Sequence, residues 1–416
     1  MKRLIAFAIL SALCLGMIGC SAPTEPADTT PTAPVDTFPY PKINQKLTWD
    51  AINAFPLKSS DMTEEELRQH CIDFFLFAKT ALWIPNSDWS YQKTETGSTD
   101  EMTKGLVYGG LPYIGNSGGN IYRLMDYLNE ETGVVDMTEP MLNPKQFGNQ
   151  CANGAGWAWA RVINSVKYGS TFTMVQSNGY LRVGPYTYDD SIIRFQDGVY
   201  NTADVIRDNG AEVMFQSYAA LKKADGLVNY VSAGHVMMVC TDPVVVYTED
   251  GEIDPSQSHL YIHDQHSAWS EATNEAGDTF QHKNYINKRF SFAELLAESY
   301  IPFTFAEFLG TDPVEETQCD FNHTGETINA TQLNAGSVTS NYYISDIYAI
   351  IRDSNGNEQH RIVQRAGKVG LTELNFNRLV TSSALEPFAD GSHTVEIICQ
   401  LGTGERLTLY TGQLVS

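Results

Sequence analysis

Up to about residue 312 the apolar positions of this chain recur mostly at helix spacing or in short runs, and beyond it they alternate. The stretch "DMTEEELRQHCIDFFLFAKTALWIP" opens with Thr63 and Glu66 at capping-box spacing and stays largely apolar to Pro85, which predicts a helix stopping at that proline. Cys71 falls inside it and reads as core packing. A glycine-rich turn region, "GLVYGGLPYIGNSGGN", and a short helix, "IYRLMDYLNEETG", come next. The residues after Cys151 are rich in alanine and tryptophan and predict a buried helix. Between residues 170 and 232 strand patterns ("GYLRVGPYTY") mix with a helix ("EVMFQSYAALKKA"). Two strands, "GHVMMVC" and "PVVVYT", a turn in "EDGEIDPSQS" and a returning strand, "HLYIHDQ", lead to "SFAELLAESYIPFTFAEFL", which closes the region. Helices first and a β-meander later predict an α+β domain over residues 45–312.

Past "GTDPVEE" the texture changes. "YYISDIYAIIRDSNGNEQHR" reads as strand, Asn-Gly turn, strand, and "DGSHTVEIICQLGTGERLTLYTGQL" as a second hairpin. These predict an antiparallel, Ig-like β-sandwich over residues 316–416, with alternation that asks for no partner from the helical half. Its ligand is left open by the sequence.

Charge and the chain's start narrow the setting. The 416 residues include 50 acidic and 27 basic side chains, a formal charge of −23 that repels phosphate backbones, so nucleic acid is not an expected partner. Residues 1–20, "MKRLIAFAILSALCLGMIGC", place Lys2 and Arg3 before a short apolar run, the pattern of a secretory signal. Its end, "MIGC", resembles the lipobox of bacterial lipoproteins, with Met17 where leucine is usual. That resemblance implies lipidation at Cys20 and a lipid-anchored protein on the extracytoplasmic face of a bacterial cell membrane. Residues 21–44 are Pro/Thr-rich with little to bury and read as a tether. Removing Cys14 and Cys20 leaves Cys71, Cys151, Cys240, Cys319 and Cys399, an odd number, so at least one thiol stays unpaired. Pairing of Cys319 with Cys399 is open, and Cys240 in an apolar strand reads as core.

The candidate chemistry centres on "FGNQCANGAGWAWARV". Cys151 stands at the predicted N-terminus of a helix, where unsatisfied N–H groups and the helix dipole favour a thiolate and could hold an oxyanion. His235, after a glycine at the start of "HVMMVC", suits an imidazole aimed into a cleft. On the returning strand Tyr261, His263 and Gln265 share one face and Asp264 the other, and Gln265 could accept an imidazole N–H.

The order cysteine, histidine, polar group resembles the NlpC/P60 superfamily of cell-wall cysteine peptidases, within the papain-like fold. The resemblance implies Cys151 as nucleophile, His235 as general base and Gln265 as orienting residue, with His263 contending for that third role. It also implies a substrate-binding role for Tyr113 in "GLPYIG" and peptidoglycan stem peptides as substrate. The flanks "NQCANG" depart from the family's Asp-Cys-Ser-Gly, and the Tyr113 to Cys151 gap is longer than usual. No cofactor is expected. His259, His263, Asp264 and His266 are close in sequence, but a strand splits them between two faces, so no metal site is expected. The competing readings are an amidase of the CHAP kind, a transglutaminase-like enzyme using Cys151, His235 and Asp264, and a non-catalytic surface lipoprotein with a degenerate papain-like binding domain.

Overall fold

Thr63 starts the first long helix as its spacing predicts. Its Oγ1 accepts from the Glu66 amide, and the Glu66 carboxylate accepts from the Thr63 amide. This helix, α1 (Glu64–Thr80), buries Cys71, Phe74, Phe75 and Lys79. It stops at Thr80 and not at Pro85. Leu82–Pro85 is a fully buried strand that pairs with Tyr108–Gly109 on one edge and Val134–Val135 on the other. A short apolar run buried on both faces has no alternation to distinguish it from helix.

The structure is a computed structural model that describes residues 39–92, 99–114, 117–137, 147–167, 169–310, 315–377, 379–380 and 382–416. The signal, Cys20 and most of the tether lie outside the described residues. Residues Tyr40–Ser416 form one compact unit. The folded body begins a little earlier than the sequence suggests, because Ile43 is buried in a small cluster with Leu82, Ile84 and Phe280. Among the described residues no helix is long and apolar enough to cross a membrane.

The protein is mixed α and β, built on a ten-stranded sheet. Four neighbouring strands carry the site, joined as an antiparallel meander: β1 (Gly226–Tyr230), β2 (Gly234–Val239), β3 (His259–Thr273) and β4 (Thr279–Ser291). Helix α2 (Cys151–Trp159) is buried at every position and packs against α1, β2 and β3. Two expected strands are reduced. "PVVVYT" makes only isolated bridges, Val244 to His259 and Tyr247 to Ile253, since Val244 and Tyr247 stay exposed and have no surface to pack on. "GYLRVGPYTY" supplies only Leu181–Arg182, cut short by Gly184 and Pro185.

Both C-terminal hairpins form, Ile344–Arg352 with Glu358–Arg365 and Asp390–Leu401 with Arg406–Val415. They belong to a five-stranded sheet that shares an apolar core with a three-stranded sheet of Cys319–Phe321, Ser337–Ser340 and Glu373–Asn375. One pairing, Thr327–Ile328 with Arg406–Val415, is parallel, contrary to the all-antiparallel expectation. Ile344–Ile351 is buried on both faces, not one. Ile347, Ala349 and Ile351 fill the sandwich, while Asp346 and Tyr348 meet the helical half. There Arg123 Nε lies 2.9 Å and Arg365 Nη1 3.3 Å from Asp346 Oδ1, and Arg365 Nη2 lies 2.9 Å from Asp126 Oδ2. Asn120 Nδ2 donates to Ser345 Oγ at 2.7 Å, and Tyr343 donates to the Val166 carbonyl at 2.6 Å. A dense buried polar seam therefore joins the sandwich to the body.

Candidate active site

Cys151 is the first residue of α2, and the side chain of its N-cap, Gln150, makes no capping bond, so the first-turn N–H groups remain oriented toward the thiol end. The thiol is 5% exposed. Burial pushes it up, but hydrogen bonding and charge from His235, with further bonds from the Val236 and Ala152 backbone, bring it below the ordinary thiol value of 9.0. The backbone of 112–114 runs beside this turn: Asn149 donates to the Pro112 carbonyl at 3.0 Å, and Ile114 donates to the Asn149 carbonyl at 2.9 Å. Tyr113, half-buried, bridges to Asn149 along that edge, two residues before Cys151.

His235 sits at the second position of β2, opposite Asn229, and its side chain is 25% exposed. Its Nε2 lies 2.8 Å from Asp264 Oδ2, which leaves Nδ1 for Cys151. Burial lowers the imidazole, yet bonds to Asp264 and Cys151 and the charges of both raise it well above 6.5. The two directions agree on one state, a thiolate beside an imidazolium whose far nitrogen is held by a carboxylate. Asp264 is almost fully buried, and its Oδ1 accepts from the Tyr285 amide at 3.3 Å.

The side chain that bonds the His235 ring is thus Asp264, the residue of the transglutaminase-like alternative, and not Gln265 or His263. The cause is strand register. Ile262 pairs directly with Val239, so they share a face; two-residue alternation then puts Asp264 with Ile262 and His235 with Val239 on that same face. His263 points the other way. Its Nδ1 accepts from the Asn287 amide at 3.2 Å, and burial, aided by the Lys79 charge, depresses it to about 4, a neutral ring. Asn287 has φ +54 and lies where β4 carries an extra residue against β3. Gln265 donates from Nε2 to the Leu111 carbonyl at 2.8 Å, while its buried Oε1 has no hydrogen-bond partner among the described residues.

Lys79 was given no role by the sequence. It is 3% exposed, 4.6 Å over the Phe75 ring, and its ammonium approaches the first turn of α2. A Cβ built on Gly154 would lie 2.9 Å from Gln265 Oε1 and 3.1 Å from Lys79 Nζ, so glycine leaves room for both beneath the nucleophile. Burial lowers the amine to about 7, and the charges of Asp264 and Cys151 oppose that fall. The sequence signal was ambiguous, since a lysine in the last turn of a helix also suits the helix dipole.

Among the described residues no group of three or more histidine, cysteine, aspartate or glutamate side chains could hold a metal ion. His259 bonds the Gln257 carbonyl and His266 stacks on Tyr285, separately from His263. Cys71 and Cys240 are buried away from this chemistry, with burial raising both thiols, Cys240 to about 12. No family model, curated protein or solved structure matches the chain.

Proposed function

We propose that this chain is a cysteine hydrolase with a papain-like core, held on the extracytoplasmic face of a bacterial membrane by lipid on Cys20, and that it cleaves amide bonds in the stem peptides of peptidoglycan. The observation carrying the enzymatic part is the thiol, imidazole and carboxylate in one line at a buried helix N-terminus. The cell-wall part is supported by the export and lipid signals and by the NlpC/P60 resemblance of the cysteine and histidine settings.

In this reading the Cys151 thiolate attacks the amide carbonyl carbon, and the oxyanion that forms is held by first-turn N–H groups of α2. His235 gives its proton to the departing amine as the C–N bond breaks, leaving a thioester. Neutral His235 then takes a proton from water, whose oxygen attacks the thioester and releases the acid and the thiolate. Asp264 holds the ring through Nε2 at both stages. Tyr113 lies along the approach to the nucleophile.

The aspartate itself favours a second reading, transglutaminase-like acyl transfer, in which an amine replaces water at the second step. The test is the purified chain with defined muropeptides, with and without a primary amine, products read by mass spectrometry. Loss of a stem-peptide amide bond, absent in Cys151→Ala, supports the hydrolase. Amine-bearing products support transfer. No product, with Cys151 alkylated by iodoacetamide no faster than a free peptide thiol, overturns both in favour of a binding module.

A further inference from the structure

We propose that the C-terminal sandwich forms one wall of the substrate groove, and that Lys368 on that wall selects an acyl donor carrying a carboxylate near the bond attacked; this rests on the reading of Cys151 as a thiolate nucleophile above. A cavity of about 320 Å³, large enough for a short peptide segment, has three sides. One is Gln150 and Asn153, immediately before and within the first turn of α2. The second is the 169–173 segment. The third is Gly367 with Lys368, contributed by the sandwich.

The second wall belongs to the His235 side. Phe172 packs on Tyr230 with ring centroids 5.6 Å apart, and Tyr230 pairs with Gly234 while its neighbour Asn229 pairs with His235. The cavity therefore opens between the strand pair that presents the imidazole and the turn that presents the thiol.

The third wall is held in place. A Cβ on Gly118 would overlap the Gly367 carbonyl, a close approach only glycine permits, and the Gly118 carbonyl accepts from Trp157 Nε1 of α2 at 3.1 Å. Arg123 Nη2 donates to the Ala366 carbonyl at 2.7 Å. Ala366 and Val369 are fully buried, while Lys368 between them is exposed. The loop is anchored on both sides of one outward-facing lysine.

Lys368 makes no ion pair among the described residues, and no acidic side chain is among the cavity's described lining. On a chain of formal charge −23, Lys368 is thus a cation on a cavity it shares with Gln150, the residue before Cys151. An ammonium with no internal partner is matched by a carboxylate on the bound chain, and the amide and hydroxyl groups of Gln150, Ser170 and Thr173 suit a peptide backbone.

The test uses the thiol itself as reporter. Cys151 in the purified chain is alkylated at low ionic strength with iodoacetate and with iodoacetamide, and the ratio of the two rates is compared among wild type, Lys368→Glu and Lys368→Arg by mass spectrometry of the Cys151 peptide. His235 and the other charges act alike in all three proteins. The ratio should fall about threefold or more in Lys368→Glu, be retained in Lys368→Arg, and converge between variants in high salt. An unchanged ratio in Lys368→Glu overturns the proposal. Slow alkylation by both reagents in wild type would instead count against the thiolate reading, and the ratio would still report on Lys368.

Discussion

An imidazole held by a carboxylate behaves differently from one held by an amide, and that difference can be measured at Asp264. The thiol is drawn below its ordinary 9.0 and the imidazole is raised from 6.5 to about 10, directions that both favour the thiolate–imidazolium pair. Activity should fall on the acid side as Cys151 takes up a proton, and on the alkaline side only well above 6.5, as His235 loses one. Asp264→Asn should lower kcat/KM by about ten- to a thousandfold and move the alkaline limb down, because the carboxylate is one support of the raised imidazole. Gln265→Ala and His263→Ala should leave that limb in place; a larger shift in either would return the orienting role to that residue. Lys79 makes a second case. Its folded value of about 7 lies below the usual 10.5, so the unfolded chain binds more protons between those limits and the lysine's cost to stability is greatest below pH 7. Lys79→Met should raise the unfolding free energy at pH 7 by about 1–3 kcal/mol in urea denaturation, with the gain fading toward pH 10.5. It should also move the acid limb of activity upward, since a positive charge near the thiolate is lost. Cys151 and His235 were legible because each begins an element. Asp264 was named only in the transglutaminase-like alternative, because the long connection from Val239 to His259 carries no tight turn to fix the register.

At the level of elements, local chemistry was readable where it was complete. The Thr63 and Glu66 cap and the Asn-Gly hairpin named their structures, since each supplies its own hydrogen bonds or turn geometry. Leu82–Pro85 and "PVVVYT" were misread because burial by distant parts of the chain decided them. Across the sandwich, the thiols of Cys319 and Cys399 are in hydrogen-bond contact, one strand in each sheet. That bond lowers the Cys319 thiol, against an upward effect of burial, while Cys319 and burial raise Cys399. With oxidised glutathione, the partly exposed Cys319 thiolate should attack the glutathione disulfide and expel one glutathione thiolate. Cys399 should then displace the second, closing a disulfide between the sheets. Intact-mass analysis should show the loss of two hydrogens and no retained glutathione, with stability raised by about 2–4 kcal/mol. A persistent mixed disulfide, or no oxidation, would refute the pairing.

Across the whole molecule, the sequence foretold the two C-terminal hairpins but not the buried polar contacts that join them to the body. Alternating strands look self-sufficient, and nothing local reveals that Asp346 faces Arg123 from the other half. With both side chains buried, Asp346→Ala leaves Arg123 without its closest anion and should cost about 3–5 kcal/mol in chemical denaturation. A loss under 1 kcal/mol would mean that the seam is dispensable.

The far end of α2 also rests on the sandwich: Gly402 packs against Ala160 and Trp157, and its carbonyl accepts from Tyr122. The residues that steady the Cys151 helix therefore lie far beyond it in the sequence. A chain without that stretch would hold its thiol on a helix lacking these contacts, so competence would depend on the sandwich. A chain ending at Cys399 should accordingly alkylate Cys151 with iodoacetamide at the rate of an ordinary peptide thiol, whereas a full-length rate would show that the thiol needs no support from the Gly402 turn.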